Sequence, residues 1–230
     1  MKKIGLIGGL GPEATIDYYR IIVKLFREKV RHFPELIINS VDLKKYAQML
    51  DTDRLAEQIE WLVDAVNILH QASADFAVIT SNTPHIVFDE IQTRSPIPII
   101  SIVEVTCNKA EELRLARVGL MGTRTTMGSD FYQKVFLKAG IEIIVPNENE
   151  QNYIHEKLVK EIIKGKILDE TREGLLKIVK RMVDEDGIDG LILGCTELPL
   201  ILTRGEFGIP FLNTTRLHAE AAVRYALGDE

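Results

Sequence analysis

The chain has 230 residues, 46% hydrophobic and 27% charged, with a formal net charge of −6; that suits a globular protein with one large core or two small ones and disfavours a nucleic-acid or anionic-membrane role. Two cysteines, Cys107 and Cys195, are not a disulfide framework, and no Cys/His set has zinc-ligand spacing. No apolar run is long enough to cross a bilayer, and the apolar start after Met1-Lys2-Lys3, broken by glycines and then by Glu13 and Asp17, reads as a first strand of a cytoplasmic protein.

In chain order, residues 3–7 predict a buried strand, Gly8-Gly9-Leu10-Gly11 a tight turn, and Pro12 a first helical position. The following helix runs to about Val30 with Ile16, Tyr19, Val23 and Phe26 as its apolar stripe. Glu35–Val41 predicts a second strand, and residues 40–50 a loop. Asp51 or Thr52 is the expected cap of an amphipathic helix ending near Gln71. A strand ending at Ser81, a helix through about Ile91 and a strand at 98–100 complete the first half. The second half repeats the programme. It has a strand at 117–121, a helix from about Thr126, a strand at 141–145, two helices across 149–185, a strand leading to Cys195, a strand at 209–212 and a last helix from about Thr214. Cys107 reads as a core residue on a helix face. Alternating strands and helices mean an α/β fold with a parallel sheet in each half. The expected domains are 1–100 and 101–212, with no linker between them.

Ala74-Asp75-Phe76-Ala77-Val78-Ile79-Thr80-Ser81-Asn82-Thr83 parallels Ile188-Asp189-Gly190-Leu191-Ile192-Leu193-Gly194-Cys195-Thr196-Glu197 at an offset of 114 residues, from 75 to 189 and from 81 to 195. Gly5 and Gly119, and Tyr18 and Tyr132, share that offset; Pro98 and Pro210 differ by 112. Recurrence of this kind argues for an internal repeat. It makes Ser81 and Cys195 equivalent positions, which a pseudo-two-fold axis would bring face to face.

Ligands of open parallel sheets bind beyond the carboxyl ends of the strands. Four loops are expected there: Gly8–Gly11, Ser81–Thr83, Gly122–Thr126 and Cys195–Glu197. Each precedes a predicted helix, whose N–H groups favour anions. Asn82, Thr83, Thr123, Thr125, Thr126 and Thr196 add polar side chains, and the same residues also serve as helix caps. Hydroxyls and N–H groups together suit a small carboxylate. A proton acceptor on each side of a carbon allows removal from one face and return to the other. Cys195 would be activated by a helix N-terminus. Ser81 needs an adjacent base; His85, one turn on, is a candidate for that role or a surface or capping histidine. Glu197 could orient or relay a proton at Cys195, or complement a first helical turn.

These features resemble the aspartate/glutamate racemase family of cofactor-independent amino-acid racemases. The motifs carrying the resemblance are Ile4-Gly5-Leu6-Ile7-Gly8-Gly9-Leu10-Gly11-Pro12-Glu13-Ala14-Thr15, Ser81-Asn82-Thr83-Pro84-His85, Gly194-Cys195-Thr196-Glu197 and Leu217-His218-Ala219-Glu220-Ala221-Ala222, which span the chain. The resemblance implies two pseudo-symmetric α/β domains, an active site in the cleft between them, and a homodimer. It also implies a final helix (about 213–230) that packs back on the first domain. It implies no cofactor, no metal, and an aspartate or glutamate substrate. Cys195 matches the base for the L-enantiomer, and position 81 the base for the D-enantiomer. Leu10, Asn82, Thr83, Thr123, Thr126, Thr196 and Glu197 match substrate-binding positions.

Two departures stand out. Position 81 is Ser where the family has its first Cys. That fits a one-thiol member acting efficiently on one enantiomer, a Cys-to-Ser replacement that holds a ligand, or a shift to related chemistry. The loop 40–50 offers Lys44, Lys45, Tyr46 and Gln48 but no Arg for the substrate's side-chain carboxylate, leaving Lys166 as the chosen partner. Two alternatives remain. One is a non-catalytic acidic-amino-acid binding protein on the same scaffold. The other is an NAD-dependent oxidoreductase, from Gly9-Leu10-Gly11-Pro12-Glu13-Ala14 and Asp42. Pro12 weighs against the latter because it removes an N–H that a pyrophosphate would use.

Overall fold

The structure, a computed structural model, describes residues 1–51 and 54–229. The chain divides into two compact units, Met1–Ile102 with Thr215–Glu230, and Val103–Thr214. In chain order the elements are β1 (Ile4–Gly8), α1 (Pro12–Val30), β2 (Leu36–Ser40), α2 (Leu43–Asp51), α3 (Leu55–Gln71), β3 (Phe76–Ile79), α4 (Phe88–Arg94), β4 (Ile99–Ile100), α5 (Ile102–Glu112), β5 (Arg117–Met121), α6 (Arg124–Gly128), α7 (Phe131–Lys138), β6 (Glu142–Ile144), α8 (Glu148–Lys160), α9 (Asp169–Asp184), β7 (Gly190–Leu193), β8 (Phe211–Asn213) and α10 (Thr214–Leu227). Short 3₁₀ turns occupy Thr83–Val87, Ile162–Lys164 and Leu198–Leu200.

Both units hold a four-stranded parallel sheet of the same order, β2-β1-β3-β4 and β6-β5-β7-β8. The internal repeat extends to register. Ile4 lies opposite Phe76 as Val118 lies opposite Gly190, each residue 114 positions from its counterpart. The repeated aspartates explain part of this. The Asp75 carboxylate accepts the Lys3 N–H at 2.6 Å, and Asp189 accepts the N–H groups of Ala116 and Arg117 at 2.7 and 3.1 Å. Each aspartate therefore pins the start of its unit's first strand to the strand beside it.

Side chains alternate across a strand, and unit 1 uses both faces. Ile7, Ala77 and Ile79 pack with Leu62, Val66 and Leu69 of α3, while Ile4, Leu6, Phe76 and Val78 pack with Tyr18, Ile22 and Phe26 of α1 and Ala219, Ala222, Val223 and Ala226 of α10. The last helix thus presents small side chains at helical spacing to the first sheet. In unit 2, Met121, Leu191 and Leu193 pack against Ile154 and Leu158 of α8 and Leu175, Val179 and Met182 of α9.

Local differences from the sequence reading have physical causes. The buried side of α1 is Ala14, Tyr18, Ile22 and Phe26, whereas Ile16 and Tyr19 are exposed, so the sheet-facing stripe lies beside the predicted one. Residues 43–50, within the expected loop 40–50, belong to α2, which buries Tyr46 and Met49. α3 begins after Arg54 without a side-chain cap; Thr52, one expected cap, lies outside the described residues, as does the side chain of Asp51. The expected helix from Thr126 is two helices, α6 and α7, separated by Ser129 and Asp130.

Candidate functional site

The four predicted loops follow β1, β3, β5 and β7, at the carboxyl ends of the strands. In unit 1, Gly9 has φ +83°, and a Cβ there would stand 2.3 Å from the Val41 carbonyl oxygen. Its N–H donates to Thr15 Oγ1 at 2.9 Å. That donor is spent within the loop, which removes a second phosphate ligand of the dinucleotide alternative. Leu10, expected to touch substrate, packs in the core with Ile7, Tyr46, Met49 and Val63.

Ser81 is half-buried and Asn82 buried. Among the described residues, nothing hydrogen-bonds the Ser81 hydroxyl. His85 is neither a surface group nor the base for it. The imidazole is buried, and Nδ1 lies 3.1 and 3.2 Å from the carbonyl oxygens of Ser81 and Asn82, while Nε2 lies 3.2 Å from the Ile102 nitrogen. Carbonyls only accept and N–H only donates, so Nδ1 carries the proton and the ring is neutral. Burial, with His218 beside it, lowers its pKa to about 3. His218, buried on α10, donates from Nε2 to the Ile100 carbonyl at 2.9 Å and accepts from Tyr18 Oη at 2.8 Å; burial lowers its pKa to about 4.

In unit 2, glycines let the Cys195 turn lie against the first strand. A Cβ on Gly194 would stand 2.8 Å from Leu120 Cδ1, and its N–H donates to the Met121 carbonyl at 2.7 Å. Cys195 is 7% exposed and donates from Sγ to Glu197 Oε2 at 3.0 Å. The Thr196 hydroxyl donates to the same oxygen at 2.8 Å. The following 3₁₀ turn has three residues and gives little of the expected helix field. Burial pushes the Cys195 thiol well up, and the Glu197 carboxylate adds to this; the N–H groups of Glu197 and Thr196 act the other way. The sequence expectation of a helix-lowered thiol is therefore corrected: Cys195 rests as a thiol held by a carboxylate. Glu197 is buried, and its Oε2 accepts from both the Cys195 thiol and the Thr196 hydroxyl.

The Thr123 hydroxyl caps α6 by accepting the Thr126 N–H at 3.3 Å, and the two hydroxyls lie 3.1 Å apart. Thr126 is fully buried, whereas Thr123 is half-buried. Lys166 is exposed and acts electrostatically on Glu161, which also binds Lys157 and Thr171. The structure thus gathers Cys195, Thr196 and Glu197 into one cluster, and Thr123 with Thr126 into another. Sequence spacing missed the two-histidine support of the Ser81 turn, because the partners lie in β4, at the start of α5, and in α1 and α10. Among the described residues no group of three or more His, Cys, Asp or Glu side chains could hold a metal ion, and no helix is long and apolar enough to cross a membrane.

A family model described as Asp/Glu/Hydantoin racemase matches residues 7–222. The chain is 26% identical over 226 residues to the broad specificity amino-acid racemase RacX of Bacillus subtilis, covering 96% of each chain. Among solved structures, an aspartate racemase homologue from Pyrococcus horikoshii is 33% identical, with 99% of this chain and 100% of that chain covered and a TM-score of 0.87. A candidate Asp/Glu racemase from Yersinia pestis is 31% identical with the same coverage and a TM-score of 0.90.

Proposed function

The chain belongs to the Asp/Glu/Hydantoin racemase family and is an isomerase of the amino-acid racemase kind; from that premise we propose that it exchanges the α-proton of aspartate or glutamate, with Cys195 as the base for the L-enantiomer. The observation that carries this reading is the buried Cys195–Glu197 pair at 3.0 Å. As substrate binds, the thiol proton passes to Glu197 Oε2, and the thiolate so formed takes the α-proton, becoming a thiol again. The Thr196 hydroxyl steadies the carboxylate. Asn82, Thr83, Thr123 and the backbone of the Thr196 turn are the proposed holders of the α-carboxylate, and Lys166 of the side-chain carboxylate. The same reading carries a cytoplasmic homodimer.

Ser81 takes the position that serves the D-enantiomer. Among the described residues no base hydrogen-bonds its hydroxyl, so the reaction is expected to be one-sided: exchange from L-substrates with weak net racemisation. In heavy water, L-aspartate or L-glutamate should lose its α-proton signal. A chain in which neither ever exchanges is not acting in this way. Ser81→Cys should add exchange from the D-enantiomer and full racemisation. The second reading, a non-catalytic binding protein, is favoured by that same unassisted Ser81; it predicts ligand binding by calorimetry without isotope exchange.

A further inference from the structure

We propose that His85 is a positioning residue, whose neutral imidazole clasps the Ser81–Asn82 turn and thereby sets the direction in which residue 81 and Asn82 present their side chains; this rests on the racemase reading above. Three contacts meet on one ring. Nδ1–H is shared by the carbonyls of Ser81 and Asn82, and Nε2 accepts the N–H of Ile102, the first residue of α5 and two residues past β4. The ring stacks on Phe88, centroids 5.3 Å apart and 11° from parallel. His218 stands edge-on at 6.1 Å and ties the end of β4, through the Ile100 carbonyl, to α10 and to Tyr18 of α1. The turn that carries residue 81 is therefore fastened to Ile102, just past β4, and the end of β4 to two helices. A cationic imidazole would lose the Ile102 contact, because both nitrogens would then be donors. Among the described residues the titratable group acting on His85 is His218, which disfavours a cation there and is itself bonded to Tyr18.

The discriminating variants place an amide at one end of the ring or the other. His85→Asn puts an N–H donor near the Nδ1 position and keeps the clasp on the two carbonyls. His85→Gln reaches the Nε2 position, keeps the Ile102 contact and drops the clasp. Both are made in the Ser81→Cys background, and α-proton exchange from D- and L-substrates is measured beside urea stability. The Asn variant should keep D-exchange within about threefold, while the Gln variant should lose about tenfold or more in kcat with little change in KM, as misaimed groups do. If the two variants are equally slow or equally fast, the proposal is overturned. Failure of Ser81→Cys itself to exchange D-substrates would instead sink the racemase reading. Nitrogen NMR of the unsubstituted chain gives a test free of folding effects. The His85 ring should show the neutral Nδ1–H form from neutral pH down to about 5, as its contacts require; an Nε2–H form, or titration in that interval, would overturn the proposal.

Discussion

Gly194→Ala probes whether the Cys195 turn needs its close approach to β5. Gly194 is not at positive φ, so alanine strains no backbone angle and gains about 0.4–1 kcal/mol from a stiffer unfolded chain. Against this, the new Cβ meets Leu120 Cδ1 at 2.8 Å, the Met121 carbonyl oxygen at 3.1 Å and Thr126 Cγ2 at 3.3 Å. Overpacking of this kind costs about 1–3 kcal/mol, which leaves a net loss of about 1–2 kcal/mol. The leucine methyl can rotate away. The Met121 oxygen cannot, because it is backbone and accepts the Gly194 N–H at 2.7 Å. Relief therefore comes from moving the turn, and a shift of about 1 Å at a reacting group costs up to about a hundredfold in rate.

Gly190→Ala is the control on the same strand. The atoms nearest its Cβ would all be in the Leu115 side chain, the closest at 2.5 Å, far from the Cys195 end of β7. The expected result is a smaller urea destabilisation for Gly190→Ala, whose Leu115 methyl can turn away, with deuterium exchange of L-aspartate or L-glutamate cut at least tenfold by Gly194→Ala alone, in line with that sensitivity to placement. Equal exchange in the two variants would refute the reasoning that the geometry of this turn sets the position of the acting base.

Glu197→Gln removes the anion that helps to push the Cys195 thiol up, so iodoacetamide labelling should begin at lower pH while α-proton exchange falls for want of a proton acceptor; an unmoved labelling profile would show that the pair does not interact. His85 and His218 have folded pKa values depressed to about 3 and about 4 from an ordinary 6.5. The unfolded chain therefore takes up protons first on acidification, and stability falls as pH drops below about 6.5. By pH 5 each histidine costs about 2 kcal/mol, which should appear as a lower urea midpoint than at pH 7; equal midpoints would contradict the buried neutral rings. Asp189→Ala removes two hydrogen bonds from backbone N–H groups to an exposed carboxylate and should cost about 1–2 kcal/mol in urea unfolding with exchange unchanged.

The sequence reading reached the two-sheet plan because apolar strands at fixed offsets state it directly, and Asp75, Gly5 and their partners at 189 and 119 keep register as well as topology. The face of α1 was harder. Ile16, Tyr19, Val23 and Phe26 have helical spacing, as do Tyr18, Ile22 and Phe26, and only tertiary packing decides between neighbouring stripes. α2 was hidden because it is short and its buried residues, Tyr46 and Met49, are too few to mark a period. At the site, Cys195 and Glu197 are two residues apart, so their pairing was within reach of spacing. The state of the thiol was not, since burial and the length of the following turn are tertiary facts. His85 was visible as a letter four places from Ser81, but its partners at Ile102 and beyond Ile100 are joined to it only by the fold.

The repeat also clarifies why chemistry is uneven on an even scaffold. At the common offset Cys195 corresponds to Ser81, Thr196 to Asn82 and Glu197 to Thr83. The second unit thus supplies a thiol with a carboxylate two residues on, bonded to it at 3.0 Å. The first supplies a hydroxyl with a threonine in the carboxylate's place, and its nearby histidine is bound on both nitrogens by backbone. Placing a thiol at 81 changes the base but, among the described residues, brings no carboxylate to bond it. By this reasoning Ser81→Cys alone gives slower exchange from the D-enantiomer than Cys195 gives from the L-enantiomer. Adding Thr83→Glu to it, which copies the arrangement at 195–197, should narrow the gap. A double variant no faster on D-substrates than the single one would mean that the carboxylate beside Cys195 is not what activates it.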